Sequence, residues 1–351
     1  MILEWLKLAV EKKASDIFIA SGRSITFKIN GVITPQNGEK VTPAEAEQLI
    51  TGLFDLANKK MDKYIGAGDD DFPVTVPGVA RFRVNAYRQR NTMSAVIRVV
   101  MFDLPNYKDL RIPEQVMDVA HENNGLVLVT GPAGSGKSTT LACIIDEINK
   151  TKNSHIITLE DPIEFIYYDN KSFISQREIS SDTTSYMDAL RACLRQAPNI
   201  ILLGEMRDHD TISAAMTAAE TGHLVISTLH TVGAANTIDR IIDTFPPGQQ
   251  QQTRIQLSMV LRSVISQILI PDINHNSIPA FEIMKVNKAV TNIIREAKTH
   301  QIDGVIQNSS DEDMISMDAY LLKLYRNGDI EKETALGYAS NVEQMQRQIS
   351  L

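Results

Sequence analysis

The chain has 351 residues, 43% of them hydrophobic and 22% charged, a composition that suits a folded globular protein and excludes a disordered or fibrous one. A formal net charge of -8 gives the surface no general attraction for nucleic acid or anionic lipid, and the length suits two domains better than one core. Only Cys143 and Cys193 are present, in apolar helical patterns, which reads as two buried side chains rather than a disulfide or a metal cluster.

The opening residues MILEWLKLAVEKKASD intersperse Glu4, Lys7 and Glu11 with apolar positions and predict an amphipathic helix rather than an export signal. No uncharged apolar run approaches the ~20 residues that span a bilayer, so the expected compartment is the cytosol. Residues 17–33 alternate short apolar runs with Gly22 and Asn30-Gly31, predicting strands joined by tight turns. Thr42-Pro43-Ala44-Glu45 supplies an N-cap, a proline at the first helical position and an acid at the third, followed by a helix to about Ala57. Strand character returns over 72–100, with Ala80, Phe82, Val84 and Ala86 on one face and Arg81, Arg83, Asn85 and Tyr87 on the other. These elements predict a smaller α+β domain over residues 1–103. The proline-punctuated stretch from Leu104-Pro105 to Ile112-Pro113 reads as a connector, placed at 104–116.

Beyond it, residues 126–130, 156–159, 200–203 and 224–227 form short β-branched or leucine-rich runs separated by helical patterns. Parallel neighbours need crossovers, so this alternation predicts a mostly parallel sheet and an α/β second domain over 117–351. After the Phe245-Pro246-Pro247-Gly248 break a helix is predicted from Thr253 to about Pro271, and the tail from Ser316 to Leu351 is predicted to be helical and amphipathic.

The strand at 126–130 runs directly into Gly131-Pro132-Ala133-Gly134-Ser135-Gly136-Lys137-Ser138-Thr139, a full GxxxxGK[ST] match in the strand-loop-helix context it requires. Its glycines let backbone N–H groups curl around phosphate oxygens at the positive end of a helix, and Lys137 reaches the β and γ phosphates. Ser138 is the expected Mg²⁺ hydroxyl, and Thr139 is placed toward the α phosphate. The loop alone does not separate a kinase from a motor or switch. Glu160 ends the run at 156–159 and Glu205 follows the run at 200–203, so parallel strands deliver both acids to the carboxyl edge where nucleotides bind. One acid can orient Mg²⁺ and the other the attacking water; solvated strand ends are the plainer alternative. His223 and His230 bracket the run at 224–228, as γ-phosphate sensors or as packed histidines. Arg81, Arg83, Arg88, Arg90 and Arg98 cluster within 18 residues and suit a solvated face, a nucleic-acid contact or an intersubunit ATP contact.

The phosphate loop, Thr158-Leu159-Glu160-Asp161-Pro162-Ile163-Glu164, Leu203-Gly204-Glu205-Met206-Arg207-Asp208 and the stretch from Thr221-Gly222-His223 to Leu229-His230-Thr231 resemble, in order, the Walker A, Asp, Walker B and His boxes of the type II/IV secretion ATPase superfamily. Gly78-Val79-Ala80-Arg81-Phe82-Arg83-Val84-Asn85 and Ile293-Ile294-Arg295-Glu296 extend the resemblance over nearly the whole chain, nearest to the PilT retraction branch. The resemblance implies a RecA-like P-loop ATPase domain behind a PAS-like N-terminal domain. It also implies a homohexameric motor, cytoplasmic and peripheral to the inner face of the membrane at a pilus base. ATP and Mg²⁺ are the implied cofactors. The implied partners are the inner-membrane platform protein, the pilus machinery and a paralogous pilus ATPase, with no nucleic acid. Glu160 becomes the catalytic glutamate, Glu205 the Walker B acid, and His223 and His230 the coupling box. Arg83 and Arg98, with Arg81 behind them, become the arginines that reach ATP. A long N-terminal extension and a four-cysteine zinc element, usual in assembly members, are missing, which favours retraction; assembly, accessory retraction and secretion motors remain the alternatives, and a P-loop kinase or nucleotide switch is the alternative of another class. Two departures stand out: Ala133 where threonine is common, and Gln196-Ala197-Pro198-Asn199 in place of an acidic run.

Overall fold

The computed structural model describes all residues except Asn30, Asn37, 101–103, 310–312 and Leu351, so Asn30 of the predicted turn and the end of the predicted first domain lie outside the described residues. The chain divides into two compact units, residues 1–104 with 164–166, and residues 105–163 with 167–351.

In the first unit the predicted amphipathic helix spans Ile2–Glu11 and buries Ile2, Leu6 and Ala9. Six strands follow: β1 (Asp16–Ala20), β2 (Thr26–Ile29), β3 (Val32–Pro35), β4 (Asp69–Val76), β5 (Ala80–Gln89) and β6 (Thr92–Val100). They pair antiparallel in the order β3-β2-β1-β6-β5-β4. The helix Pro43–Leu56 starts at the expected capping box: Glu45 N donates to Thr42 Oγ1 at 3.3 Å, and Thr42 N donates to Glu45 Oε2 at 2.7 Å. The period of two in β5 is as read, with Ala80, Phe82, Val84 and Ala86 buried against Leu6, Leu53 and Phe54 in one apolar cluster.

The second unit is built on seven strands: β7 (Gly125–Thr130), β8 (His155–Glu160), β9 (Phe173–Glu178), β10 (Ile200–Leu203), β11 (Leu224–Leu229), β12 (Leu261–Pro271) and β13 (Ser277–Lys285). Their order is β13-β12-β7-β11-β10-β8-β9, all parallel except β13 against β12. Every residue of β7 and β11 is buried, and each fully covered Leu, Val or Ile contributes about 1.5–3 kcal/mol. Two buried cysteines, their thiols pushed up to about 11 by desolvation, complete the core as expected.

One predicted element is corrected. The helix runs from Pro247 to Val260, and the following residues form β12 between β7 and β13 instead of extending the helix to Pro271. Val264, Ile265, Ile268 and Ile270 are β-branched residues that favour a pleated, buried surface, and the sheet supplies one. Residues 105–116 pack with the second unit rather than hanging between units: Ile112 and Val116 are buried, Arg111 Nη1 lies 2.8 Å from Asp329 Oδ1, and Cys143 Sγ donates to Pro105 O. The tail is helical as read, in Met317–Arg326, Lys332–Tyr338 and Val342–Ser350.

Candidate nucleotide site

The phosphate loop leaves β7 and enters the helix Lys137–Thr151, as the motif requires. Gly131 has φ +144°, and a Cβ there would come within 2.1 Å of Gln267 O and 2.7 Å of Ser135 Oγ. Gly136 caps the helix at φ +85°, and a Cβ there would lie 2.9 Å from Gln267 Nε2. Glycine at these two positions therefore lets the loop close onto β12. Lys137 is 8% exposed, and its Nζ donates to the carbonyls of Gly131 and Pro132 at 2.9 Å each. Pro132, Ala133, Gly134 and Ser138 are exposed, and Thr139 is half-buried. Substitution of the usual threonine by Ala133 therefore falls at an exposed position of the loop. The hydroxyls of Thr130 and Ser135 are buried without a hydrogen-bond partner among the described residues.

Gln267 braces this loop. Its carbonyl abuts Gly131, its side-chain Oε1 accepts from Thr140 Oγ1 at 2.7 Å, and it is 3% exposed. A cavity of about 270 Å³ opens beside it, lined by Leu110, Arg111, Ile112, Gly136, Thr139 and Leu269 among others. An apolar-walled space touching the loop and its helix has the character of a nucleoside pocket.

Parallel register brings the predicted acids to the same edge. Leu203 pairs with Leu159 and Leu229 with Thr130, so Glu160, Glu205, His230 and Gly131 all lie at or just beyond the carboxyl ends of neighbouring strands. Glu160 is 9% exposed and its Oε1 accepts from Gln176 Nε2 at 3.3 Å. The chain then turns through a cis Asp161-Pro162 bond, and Ile163 N donates to the buried Glu178. Gly204 allows close approach of the strands: a Cβ would meet Tyr186 Oη at 2.9 Å and Glu160 Cα at 3.5 Å. The Tyr186 hydroxyl is pushed above its ordinary pKa by burial and then by Asp161, Glu205 and Glu160.

Glu205 is ion-paired through Oε1 to Arg207, and its Oε2 meets His230 Nε2 at 3.3 Å. Arg207 therefore pairs with an acid of its own loop. Asp208 instead caps the helix His209–Glu220 through Thr211 N. Burial raises the Glu205 carboxyl, but the hydrogen bond and charge of Arg207, joined by His230, outweigh it and hold Glu205 below the usual carboxylate range. A depressed acid contributes stability above its unfolded pKa of about 4.3, and that contribution disappears as pH falls through the folded value. The melting-temperature gap between wild type and Glu205→Gln is therefore expected to be present near neutrality and to close on acidification. A gap independent of pH would contradict an ionised Glu205.

Two other expectations fare differently. His223 precedes β11 at its amino end, about 20 Å along the strand from the loop, and its Nδ1 donates to Ala218 O at 3.0 Å. Of the two histidines expected as γ-phosphate sensors or packed side chains, only His230 lies at the edge of the phosphate loop in its own chain; a six-residue parallel strand puts His223 at the opposite edge. Arg81, Arg83 and Arg98 lie in the first unit. Arg83 on β5 pairs directly with Arg98 on β6, both exposed, and Arg98 Nε lies 3.2 Å from Asp16 Oδ1. Arg81, two residues back on the same strand, is half-buried.

A family model for type II/IV secretion system proteins matches residues 1–320. The chain belongs to that family. It is 43% identical over 335 residues to the type IV pilus retraction ATPase PilT of Pseudomonas aeruginosa, covering 95% of this chain and 96% of the relative. A twitching motility protein of Neisseria gonorrhoeae is 43% identical over 320 residues, covering 91% and 85%. The crystal structure of the pilus retraction motor PilT with bound ADP superposes with a TM-score of 0.91 over 99% of both chains, at 43% identity. As a member of the secretion ATPase family the chain is a nucleotide-binding ATPase, with a RecA-like second unit and a smaller first one. Among the described residues no helix is long and apolar enough to cross a membrane.

Within this family chain, Gln267 and the cavity beside it were not singled out from sequence. Gln267 sits in the stretch read as helix, although the β-branched residues around it carry the strand signal. Arg111 and Ile112 sit in the stretch read as connector, where prolines masked two positions that pack beside the loop.

Proposed function

We propose that the chain is a homohexameric, Mg²⁺-dependent ATP-hydrolysing motor that powers pilus retraction and twitching motility from the cytoplasmic side of the inner membrane. The observation that carries this reading is the meeting of the Lys137 loop with Glu160, Glu205 and His230 at one edge of a parallel sheet, in a chain so similar to PilT. The exposed Ser138 hydroxyl and the Glu205 carboxylate are hard oxygen donors of the kind Mg²⁺ takes, and the ion supplies charge neutralisation on the β and γ phosphates.

The residues then divide the work. Backbone N–H groups of Ala133, Gly134 and Gly136 and the start of the following helix hold the phosphates, Thr139 offers a hydroxyl, and Lys137 exchanges its carbonyl partners for phosphate oxygens. Glu160, buried at the end of β8, orients the attacking water and accepts its proton as the bond from oxygen to the γ phosphorus forms and the bond to ADP breaks. His230 reports the γ-phosphate to Glu205. Arg83 and Arg98, supported by Arg81, offset the developing charge at a neighbouring subunit's nucleotide. Binding and release of nucleotide then bias the arrangement of successive subunits, and force follows from the difference in affinity between arrangements. The platform protein and a paralogous pilus ATPase are the proposed partners.

Mixing Arg83→Ala with Lys137→Ala subunits tests the shared site. Mixed rings should regain turnover that neither variant has alone, because some interfaces then combine an intact loop with an intact arginine. Mixtures whose turnover is only the sum of the separate variants would remove the arginine from the neighbour's site.

A further inference from the structure

Glu205 has a second neighbourhood. Arg207 and His230, which hold its two oxygens, also line a cavity of about 340 Å³ together with Met206, Ile212, Leu229, Thr231, Arg240 and Thr244. No acidic residue lines it, although the chain as a whole carries a net charge of -8. Asp208, the nearest acid in sequence to Arg207, is engaged by Thr211 N at the start of a helix. Among the described residues Arg240 has no carboxylate within ion-pair reach, and its side chain is on an exposed residue. Met206, Ile212 and Leu229 are buried and give the cavity an apolar wall. The cavity also borders the phosphate loop through the backbone: Gly131 N donates to Leu229 O at 3.3 Å.

We propose that this cavity is a binding site for inorganic phosphate, the product of hydrolysis, held by Arg207, Arg240 and His230 after it leaves the loop. The proposal rests on the hydrolytic reading above. Arg207 and Arg240 both line this space, and a guanidinium has five N–H donors, so Arg207 can bind an anion while keeping Glu205; His230, whose Nε2 is on Glu205, leaves Nδ1 to accept from the P–OH of hydrogen phosphate. Arg207 and His230 thus touch both the acid edge, through Glu205, and the cavity. Phosphate leaving along this route is drawn off the site before the loop is refilled.

The test is equilibrium binding of radiolabelled inorganic phosphate to the full chain, comparing wild type, Arg240→Gln and Lys137→Ala, with sulfate and acetate as competitors and sedimentation of each variant. Phosphate is expected to bind the wild type, to bind Arg240→Gln about tenfold more weakly, and to bind Lys137→Ala as well as wild type. Sulfate should compete and acetate should not. Equal binding by Arg240→Gln, or loss of binding in Lys137→Ala, would overturn the proposal, the latter by placing the anion in the loop. Loss of the oligomer in Arg240→Gln with phosphate binding intact would assign the cavity to a subunit contact instead. Phosphate binding is read without turnover, so an absence of ATP hydrolysis in the wild type would sink the hydrolytic reading separately.

Discussion

Replacing Glu160 with glutamine is expected to lower ATP turnover by about 10²–10³-fold while leaving nucleotide affinity within a few-fold of wild type. Glutamine keeps the volume and one acceptor oxygen, so the contact from Gln176 Nε2 survives and the end of β8 is not disturbed. What is lost is the negative charge and the ability to take a proton from water. The side chain is 9% exposed, so bulk water does not readily replace it in either role. Steady-state phosphate release and binding of a fluorescent ADP analogue separate the two effects. Turnover near the wild-type rate in an intact oligomer would remove Glu160 from the chemistry, and loss of nucleotide binding would make its role structural.

Gly131→Ala is expected to damage the loop and the sheet together. The backbone at φ +144° is closed to a side chain, and the added carbon would sit 2.1 Å from a carbonyl oxygen of β12, a backbone atom that cannot swing aside. Backbone strain of ~1–3 kcal/mol adds to the displacement of a strand paired on both sides, so a loss of about 3 kcal/mol or more is expected, with nucleotide binding abolished. Gly134→Ala is the control. Its φ is +76°, but nothing lies within 4 Å of an added Cβ, so only the left-handed penalty of about 1 kcal/mol applies. Thermal melting of the two variants should differ widely; equal melting temperatures would mean the loop does not lean on Gln267.

These two residues also mark how far the sequence reads. Glu160 was visible because a β-branched run ending in an acid, next to a phosphate loop, implies a parallel neighbour and therefore a shared edge. Glu205 and His230 followed from the same reasoning, and the structure joins them directly. His223 precedes its strand, so the same carboxyl-edge reasoning, which the sensor reading did not apply to it, places it at the far edge. Gly131 was legible as a phosphate ligand but not as the point where β12 presses on the loop. That contact needs β12, whose apolar run of Val264, Ile265, Ile268 and Ile270 has no strict period of two because both of its faces are covered. The first unit was the easier half: one face of β5 is buried and the other is not, and the capping box at Thr42 states where the helix begins. Cross-strand pairing of Arg83 with Arg98 needed the register.

The central claim is that hydrolysis at the Lys137 loop withdraws pili. Fluorescently labelled pili can be timed individually in a strain lacking this gene, carrying either the wild-type chain or Lys137→Ala. Withdrawal is expected with the wild type alone, with extended pili persisting in Lys137→Ala cells. Withdrawal at the wild-type rate in Lys137→Ala cells, or the disappearance of extended pili from them, would contradict the account.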